Sequence, residues 1–153
     1  MSTNLRLRVP LAPKNAVAAL IVLDDGRYLM QQRDDIQGIF YPGYWGLFGG
    51  AIEPGETAVE ALVREVREEL AFEVTGQTYF TKVVFDFDFA GLGALDRFFY
   101  EVEMPVSAMS DLKLGEGAAF DAFTSEQVLA EPRIVPYDAF ALWQHINRDL
   151  ITA

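Results

Sequence analysis

The sequence contains no cysteine and only one histidine among its 153 residues. Disulfide bonds, thiolate metal sites and thiol nucleophiles are therefore excluded. A bound metal would need oxygen ligands or His145, and oxygen ligands favour hard cations. The chain also lacks an apolar run of about eighteen residues, and residues 1–11 are polar and basic, unlike a secretory signal. We therefore expect a soluble, cytoplasmic protein with no membrane partner.

Basic residues are scarce. The chain has 12 Lys and Arg against 23 Asp and Glu, which gives a formal net charge of −11. Such a charge repels a nucleic-acid backbone, so we expect no nucleic-acid partner. If the substrate is a phosphate anion, bound metal ions must supply the positive charge. The length fits one domain with a substantial core, and we expect residues 1–153 to form a single domain.

Strand patterns alternate with turn signals along the chain. Residues 16–23 are almost wholly apolar, and Asp25-Gly26 is a hairpin turn signal before a second strand over residues 28–32. Further strands are predicted for residues 45–48, 74–89, 97–102 and 118–123. Phe85, Phe87 and Phe89 are expected on one face. Residues 34–44 and 103–117 have the composition of long loops.

Three helices are predicted from their start signals. Thr57 and Glu60 form a capping box for a helix that runs to about Leu70. Thr124 and Gln127 form a second capping box. Asp138 is expected to cap a terminal helix, whose apolar face would contain Ala139, Leu142, Trp143, Ile146 and Leu150.

The first predicted helix separates into stripes at about 100° per residue. An apolar stripe is expected to face the core and contains Val59, Leu62, Val63, Val66 and Leu70. Glu65, Glu68 and Glu69 form an acidic stripe, and such neighbouring like charges repel one another. A divalent cation would offset this repulsion. The alternative is a solvated face on which Arg64 and Arg67 balance the charge.

An ordered string of residues surrounds this helix. Gly50 is followed after five residues by Glu56, and after seven more by Arg64-Glu65-Val66-Arg67-Glu68-Glu69-Leu70-Ala71-Phe72. This string resembles the Nudix box, in which glycine stands where this chain has Ala71. The number of matching fixed positions makes a chance match improbable.

The resemblance implies an α/β/α sandwich around a mixed β-sheet. It also implies that Glu65, Glu68 and Glu69, with the backbone carbonyl of Gly50, bind Mg²⁺ or Mn²⁺. Glu56 and Arg64 resemble the pair that braces the loop against the helix.

The implied activity is hydrolysis of a phosphoanhydride bond in a nucleoside-diphosphate-linked substrate. Metal ions neutralise the polyphosphate and activate water, and a glutamate acts as general base. Glu68 or Glu69 is the expected base, with Glu116 as an alternative on a loop. Substrate-binding candidates are Arg33, Tyr44, Trp45 and Phe48, although aromatic residues beside a glycine bend more often fill the core. His145 is expected to have a packing or surface role.

Nucleoside triphosphates and nucleotide sugars remain the candidate substrates. Family members that hydrolyse ADP-ribose usually carry a proline about sixteen residues after the box, and this chain has none between Pro54 and Pro105. A non-catalytic nucleotide-binding module is the main alternative, but such modules commonly lack some of the acidic residues that are present here. Isoprenoid diphosphate isomerases of this fold rely on a cysteine, and this chain has none, so that activity is disfavoured. The oligomeric state stays open, with a homodimer among the alternatives.

Ala71 is the one departure from the box. The family's glycine can adopt the left-handed conformation that ends a helix. Because residues 70–72 contain no residue that favours this conformation, we expect Ala71 to stay in the right-handed region.

Overall fold

The computed structural model describes residues 11–151, which form seven β-strands, three α-helices and two short 3-10 helices. The strands are Ala16–Leu23 (β1), Tyr28–Gln32 (β2), Trp45–Gly46 (β3), Phe48–Ala51 (β4), Gln77–Asp86 (β5), Ala94–Met104 (β6) and Ala119–Phe123 (β7). The α-helices are Ala58–Leu70 (α1), Ser125–Ala130 (α2) and Pro136–Ile146 (α3). The 3-10 helices are Asp88–Ala90 and Val106–Asp111.

The strands form one mixed sheet in the order β3-β2-β1-β6-β5, with β4 also paired to β1 and β7 to β2. β1 and β6 are parallel, and the other pairs are antiparallel. Residues 16–19 of β1 pair with β4, whereas Ile21 and Val22 pair with β2. Because β2 and β4 occupy different halves of the same edge of β1, the sheet divides between them.

Successive residues of β1 point to opposite faces of the sheet, as strand geometry requires. Val17, Ala19 and Ile21 belong to a buried apolar cluster with α1. Ala18 and Leu20 belong to a second buried cluster, with residues of α2 and α3. Helices therefore cover both faces, and the predicted α/β/α sandwich around a mixed sheet is confirmed.

Helix α1 begins as its sequence predicts. The Thr57 side chain accepts a hydrogen bond from the Glu60 backbone N–H, and the Glu60 side chain accepts one from the Thr57 N–H. Leu62, Val66 and Leu70 are fully buried. Val59 and Val63, from the same predicted stripe, are half-buried. The apolar side of α1 thus anchors the helix to the sheet and sets the direction of its acidic side.

The prediction for Ala71 was wrong. Ala71 is the C-cap of α1 and is left-handed, with φ 55° and ψ 32°. Its N–H donates to the Arg67 carbonyl, and the following residues Phe72 and Val74 pack against the buried cluster of α1. The chain must turn sharply to bring these side chains back to the core, and this packing overrides the local preference of alanine.

The prediction for the start of α3 was also wrong. Val135 is the N-cap, Pro136 is the first helical residue, and Asp138 lies inside the first turn with its side chain buried. The helix ends at Ile146, so Leu150 lies beyond it and is 81% exposed. Trp143, assigned to the buried face, is 47% exposed and stacks on Phe140. The correct buried face is formed around Ala141 and Leu142.

Element boundaries differ from prediction around β5 and β6. β5 is shorter than the predicted 74–89, because the chain turns into the 3-10 helix that contains Phe89. Phe89 is 87% exposed, although its ring still lies 6.0 Å from that of Phe87. β6 is longer than predicted, since it pairs with β1 on one side and β5 on the other. Among residues 11–151, no helix combines the length and apolarity needed to cross a membrane.

Candidate functional site

A cavity of about 620 Å³ opens where the sheet divides. One group of lining residues, which we call the carboxylate end, contains Gln31, Gly49, Gly50, Glu69 and Glu116, and Glu69 hydrogen-bonds to Gln31 and Gly49. A second group, which we call the aromatic end, contains Phe85, Phe87, Leu95, Arg97 and Tyr137, whose side chains contact one another around Phe85 and Tyr137. A volume of this size lies within the range of small-molecule sites, roughly 300–1,000 Å³.

Gly50 lies against the first carboxylate of the acidic stripe. A Cβ atom at this position would lie 2.6 Å from Cδ and Oε1 of Glu65. A side chain at this position would displace the Glu65 carboxylate, so glycine allows Glu65 to lie this close to the backbone of β4. Burial raises the pKa of Glu65, and the neighbouring charges of Glu68 and Glu116 raise it further against the opposing effect of Arg64.

Arg64 connects the loop before α1 to the acidic stripe. Its Nε and Nη2 donate to the two carboxylate oxygens of Glu56 at 2.7 and 2.8 Å. Nη2 also donates to the carbonyl of Ala51, and Nη1 donates to Glu65 at 2.7 Å. The hydrogen bonds that Glu56 accepts from Arg64 and from the Glu53 N–H lower its pKa to about 2. The predicted Glu56–Arg64 pair is therefore present, and it fixes the end of β4 relative to α1.

Glu69 is the most buried carboxylate of the stripe, at 3% exposure. Its Oε2 accepts the Gly49 N–H at 2.8 Å, and its Oε1 accepts the Gln31 amide at 3.4 Å. Burial raises the pKa of Glu69 to about 8, and the charges of Glu65 and Glu116 contribute. Glu68 differs, because its side chain is 56% exposed and lies 3.5 Å from Arg64.

Glu116 reaches the site from the loop before β7. The N–H groups of Lys113 and Gly115 donate to the carbonyls of Leu70 and Glu69, which lie in the last turn of α1 and have no partner within the helix. A Cβ atom on Gly115 would lie 2.2 Å from the Glu68 carbonyl oxygen. The loop can approach α1 this closely only with glycine there, and the approach brings Glu116 to the cavity beside Glu69.

The predicted metal ligands are near one another but do not converge on a point. Within residues 11–151, no three acidic or histidine side chains enclose a position suitable for a metal ion. Glu65 and Glu68 are turned toward Arg64, whereas Glu69 is turned toward Gly49 and Gln31. The donor set nevertheless fits a hard divalent cation. The carboxylates of the acidic stripe repel one another and lie beside the backbone of Gly50, which has no side chain. Their oxygen atoms are the ligands that such cations take.

The predicted substrate-binding residues divide into two groups. Arg33 lines the cavity. Phe48 is fully buried in the α1 cluster, Trp45 packs on Phe123 with ring centroids 4.9 Å apart, and Tyr44 lies under Arg133. These three aromatic residues do not line the cavity and instead stabilise the surrounding structure.

His145 has the expected packing role. It is 1% exposed, its Nδ1 lies 2.7 Å from the Tyr28 hydroxyl, and its Nε2 lies 2.6 Å from Glu101. These contacts tie α3 to β2 and β6, and the residue does not line the cavity.

Several residues at the cavity escaped the sequence analysis. Gln31 is a buried polar residue that follows the apolar residues Leu29 and Met30 of β2, and a polar residue in such a position is a usable signal of a site. The pairing of Arg97 with Asp138 spans 41 positions and left no local pattern. Phe85 and Phe87 were assigned to one strand face, but nothing showed that this face would line a cavity with Tyr137.

Comparison with known proteins shows a family match. The family model described as NUDIX domain matches residues 12–147. The chain is 46% identical over 57 residues to "Nucleoside triphosphatase NudI" of Escherichia coli O1:K1, which covers 37% of this chain and 40% of that protein. The matched part thus spans less than half the length of this curated relative.

Solved structures resemble the chain over nearly its whole length. The MutT protein from Methanosarcina mazei has a TM-score of 0.71 and 23% identity, covering 96% of this chain and all of that one. The MutT NUDIX hydrolase from Burkholderia pseudomallei has a TM-score of 0.68 and 25% identity, covering 87% and 98%.

Proposed function

This chain belongs to the NUDIX family, and we propose that it is a divalent-cation-dependent hydrolase of a phosphoanhydride bond in a nucleotide. The observation that carries the proposal is the cavity, which joins the carboxylate end to the aromatic end. A nucleotide has the matching two parts, a polyphosphate that needs cations and a flat base that packs on apolar side chains.

Glu65, Glu68 and Glu69, with the carbonyl of Gly50, would hold the cation. When bound, Mg²⁺ or Mn²⁺ supplies the positive charge that an acidic protein lacks and lowers the pKa of water. Arg64 has a supporting role, because its bonds to Glu56 and Ala51 fix the loop that carries Gly50.

The proton of the attacking water must pass to a basic group at the cavity. Glu69 and Glu116 line it, whereas Glu68 is exposed beside Arg64. Glu69 is held in place by the Gly49 N–H and the Gln31 amide. We propose that one of these two carboxylates is the general base and that Glu68 is a ligand.

The substrate that we propose is a nucleoside triphosphate, with a nucleotide sugar as the second candidate. The curated relative is described as a nucleoside triphosphatase, and the shared segment is 46% identical. A non-catalytic nucleotide-binding module is disfavoured, because all four glutamates of the box are present.

A substrate panel tests the proposal. Nucleoside triphosphates, nucleotide sugars and ADP-ribose are incubated with the chain and Mg²⁺, and ³¹P NMR identifies the products. We expect a nucleoside triphosphate to be cleaved fastest. A faster rate with ADP-ribose would contradict the substrate assignment, and nucleotide binding without turnover would favour the non-catalytic alternative.

A further inference from the structure

Arg97 is a cationic side chain at the aromatic end of the cavity, whose lining also contains Arg33 and Lys14. Arg97 is on β6, and its guanidinium carbon lies 4.8 Å from the centroid of the Tyr137 ring and 5.5 Å from that of Phe99. Phe85 packs edge-on against Tyr137, with centroids 5.4 Å apart. The guanidinium is therefore enclosed by flat apolar surfaces.

Asp138 fixes the orientation of this guanidinium. Nε and Nη2 of Arg97 donate to Oδ1 of Asp138 at 3.1 and 2.9 Å. The other oxygen, Oδ2, accepts the N–H of Leu47 at 3.0 Å. The Arg97 and Asp138 side chains are only 14% and 3% exposed, so this is a buried ion pair. Both oxygens of Asp138 are thus already engaged.

The remaining nitrogen, Nη1, makes no hydrogen bond to the part of the chain that the structure describes. Arg97 is also among the residues that line the cavity. Arg97 therefore presents N–H donors to the cavity while its charge is offset by Asp138. A charge-balanced donor among aromatic rings suits an uncharged carbonyl oxygen better than a phosphate group.

We infer that Arg97, oriented by Asp138, recognises the carbonyl edge of a keto nucleobase and is a specificity-determining residue of this site. The inference rests on the proposed function for its substrate class. Uracil, thymine and hypoxanthine present a carbonyl oxygen where cytosine and adenine present an amino group. An amino group would place donor against donor and leave Nη1 unpaired in a desolvated site, which is costly.

Two matched substrate pairs test this inference, because the members of each pair differ only in one exocyclic group of the base and in the protonation of the adjacent ring nitrogen. ITP and ATP differ at C6, and UTP and CTP differ at C4. We expect kcat/KM to be about tenfold or more higher for the keto member of each pair, since a lost hydrogen bond to a charged group has at least that effect. Equal values within both pairs, or preference for the amino members, would overturn the inference.

Variants separate recognition from a merely structural ion pair. Arg97→Lys keeps the charge opposite Asp138 but loses the planar guanidinium. We therefore expect the ratio of kcat/KM between the keto and the amino member of each pair to fall toward one. The charge-neutral double variant Arg97→Met with Asp138→Asn should behave likewise. Lys82→Met is the control, because Lys82 lies on the neighbouring strand and does not line the cavity. If Arg97→Lys slows all four substrates equally, the pair is structural and the inference fails.

Metal-free binding of IMP and AMP, measured by calorimetry, distinguishes this inference from the proposed function. Turnover without base preference would refute the inference and leave the proposed function intact. Tighter binding of IMP without turnover of any nucleotide would refute the proposed function and support recognition by Arg97. Absence of both turnover and binding would refute both.

Discussion

Glu69 combines features that are unfavourable on their own. Its carboxylate is buried, and the charges of Glu65 and Glu116 act on it. Only the Gly49 N–H and the Gln31 amide hydrogen-bond to it among the described residues. Burying a charge with so few partners is costly, and functional sites are where such costs concentrate. A cation at this position would remove the conflict.

Isosteric variants assign the roles of the two carboxylates at the cavity. We expect Glu69→Gln and Glu116→Gln to remain folded, and each to lower metal-dependent kcat by about 100-fold or more if it removes the base. Titration with Mn²⁺, followed by electron paramagnetic resonance, separates the roles, because loss of a ligand weakens Mn²⁺ binding and loss of the base does not. Full activity in both variants would contradict the placement of the site.

The raised pKa of Glu69 predicts a pH dependence of stability in the metal-free protein. Its ordinary pKa is 4.5, and in the folded chain it is about 8. Between these values the folded state binds more protons than the unfolded state, so stability falls as pH rises. The contribution of the Glu69 carboxyl group to the free energy of unfolding is complete below pH 4.5 and is lost as the pH rises through about 8.

Urea unfolding in EDTA at several pH values measures this effect. Glu69→Gln, which cannot titrate, is the matched control. We expect the wild type to lose more stability than Glu69→Gln between about pH 5 and about pH 9. Identical pH profiles for the two proteins would show that the environment of Glu69 is described wrongly.

Ala71 carries backbone strain at the end of α1. A left-handed alanine is roughly 1 kcal/mol less favourable than glycine, and the Ala71 side chain is exposed. We therefore expect Ala71→Gly to raise the free energy of unfolding by up to about 1 kcal/mol. Ala58→Gly, in the first turn of α1, is the control and should lower it. A destabilised Ala71→Gly variant in denaturant melts would contradict the left-handed cap.

At the scale of elements, the site depends on the contact between the end of α1 and the loop before β7. Gly115→Ala would place a methyl group 2.2 Å from the Glu68 carbonyl oxygen, so the loop must move and Glu116 with it. We expect reduced stability and a lower kcat. Gly76→Ala is the control, since a Cβ there meets nothing within 4 Å. Equal activity of the two variants in a steady-state assay would argue against a role for this loop.

Local patterns were sufficient for much of the fold and for the box. The apolar run of β1 and the capping boxes at Thr57 and Thr124 depend on near neighbours, and the structure has them where expected. The positions of Glu56 and Arg64 also followed from a motif of fixed spacing. Interactions within one helix or hairpin are encoded by the spacing of residues along the chain.

Features that depend on distant segments could not be predicted in this way. Asp138 has the composition of an N-cap, but its contacts are with Leu47 and Arg97, 91 and 41 positions away. Ala71 is left-handed because Phe72 and Val74, which follow it, pack against the buried cluster of α1. The cavity itself exists because β2 and β4 share one edge of β1, which no single segment shows.

At the scale of the whole molecule, the charge of −11 and the expected phosphate substrate are opposed. An anionic substrate is repelled by an anionic protein unless positive charge is added at the site. The carboxylate end of the cavity brings acidic residues together, and the charges of Glu65 and Glu116 help burial to raise the pKa of Glu69 to about 8. This arrangement makes sense if cations bind there first and the polyphosphate then binds to the cations.

The dependence of turnover on free Mg²⁺ tests this account most directly. The rate of nucleoside triphosphate cleavage by the wild-type chain is measured from EDTA-treated protein upward through a Mg²⁺ titration, with Glu69→Gln treated in parallel. We predict no turnover in EDTA, a saturable rise with Mg²⁺, and a response in Glu69→Gln that is strongly reduced at every concentration. Cleavage that continues undiminished in EDTA, or that is the same in both proteins, would contradict the account.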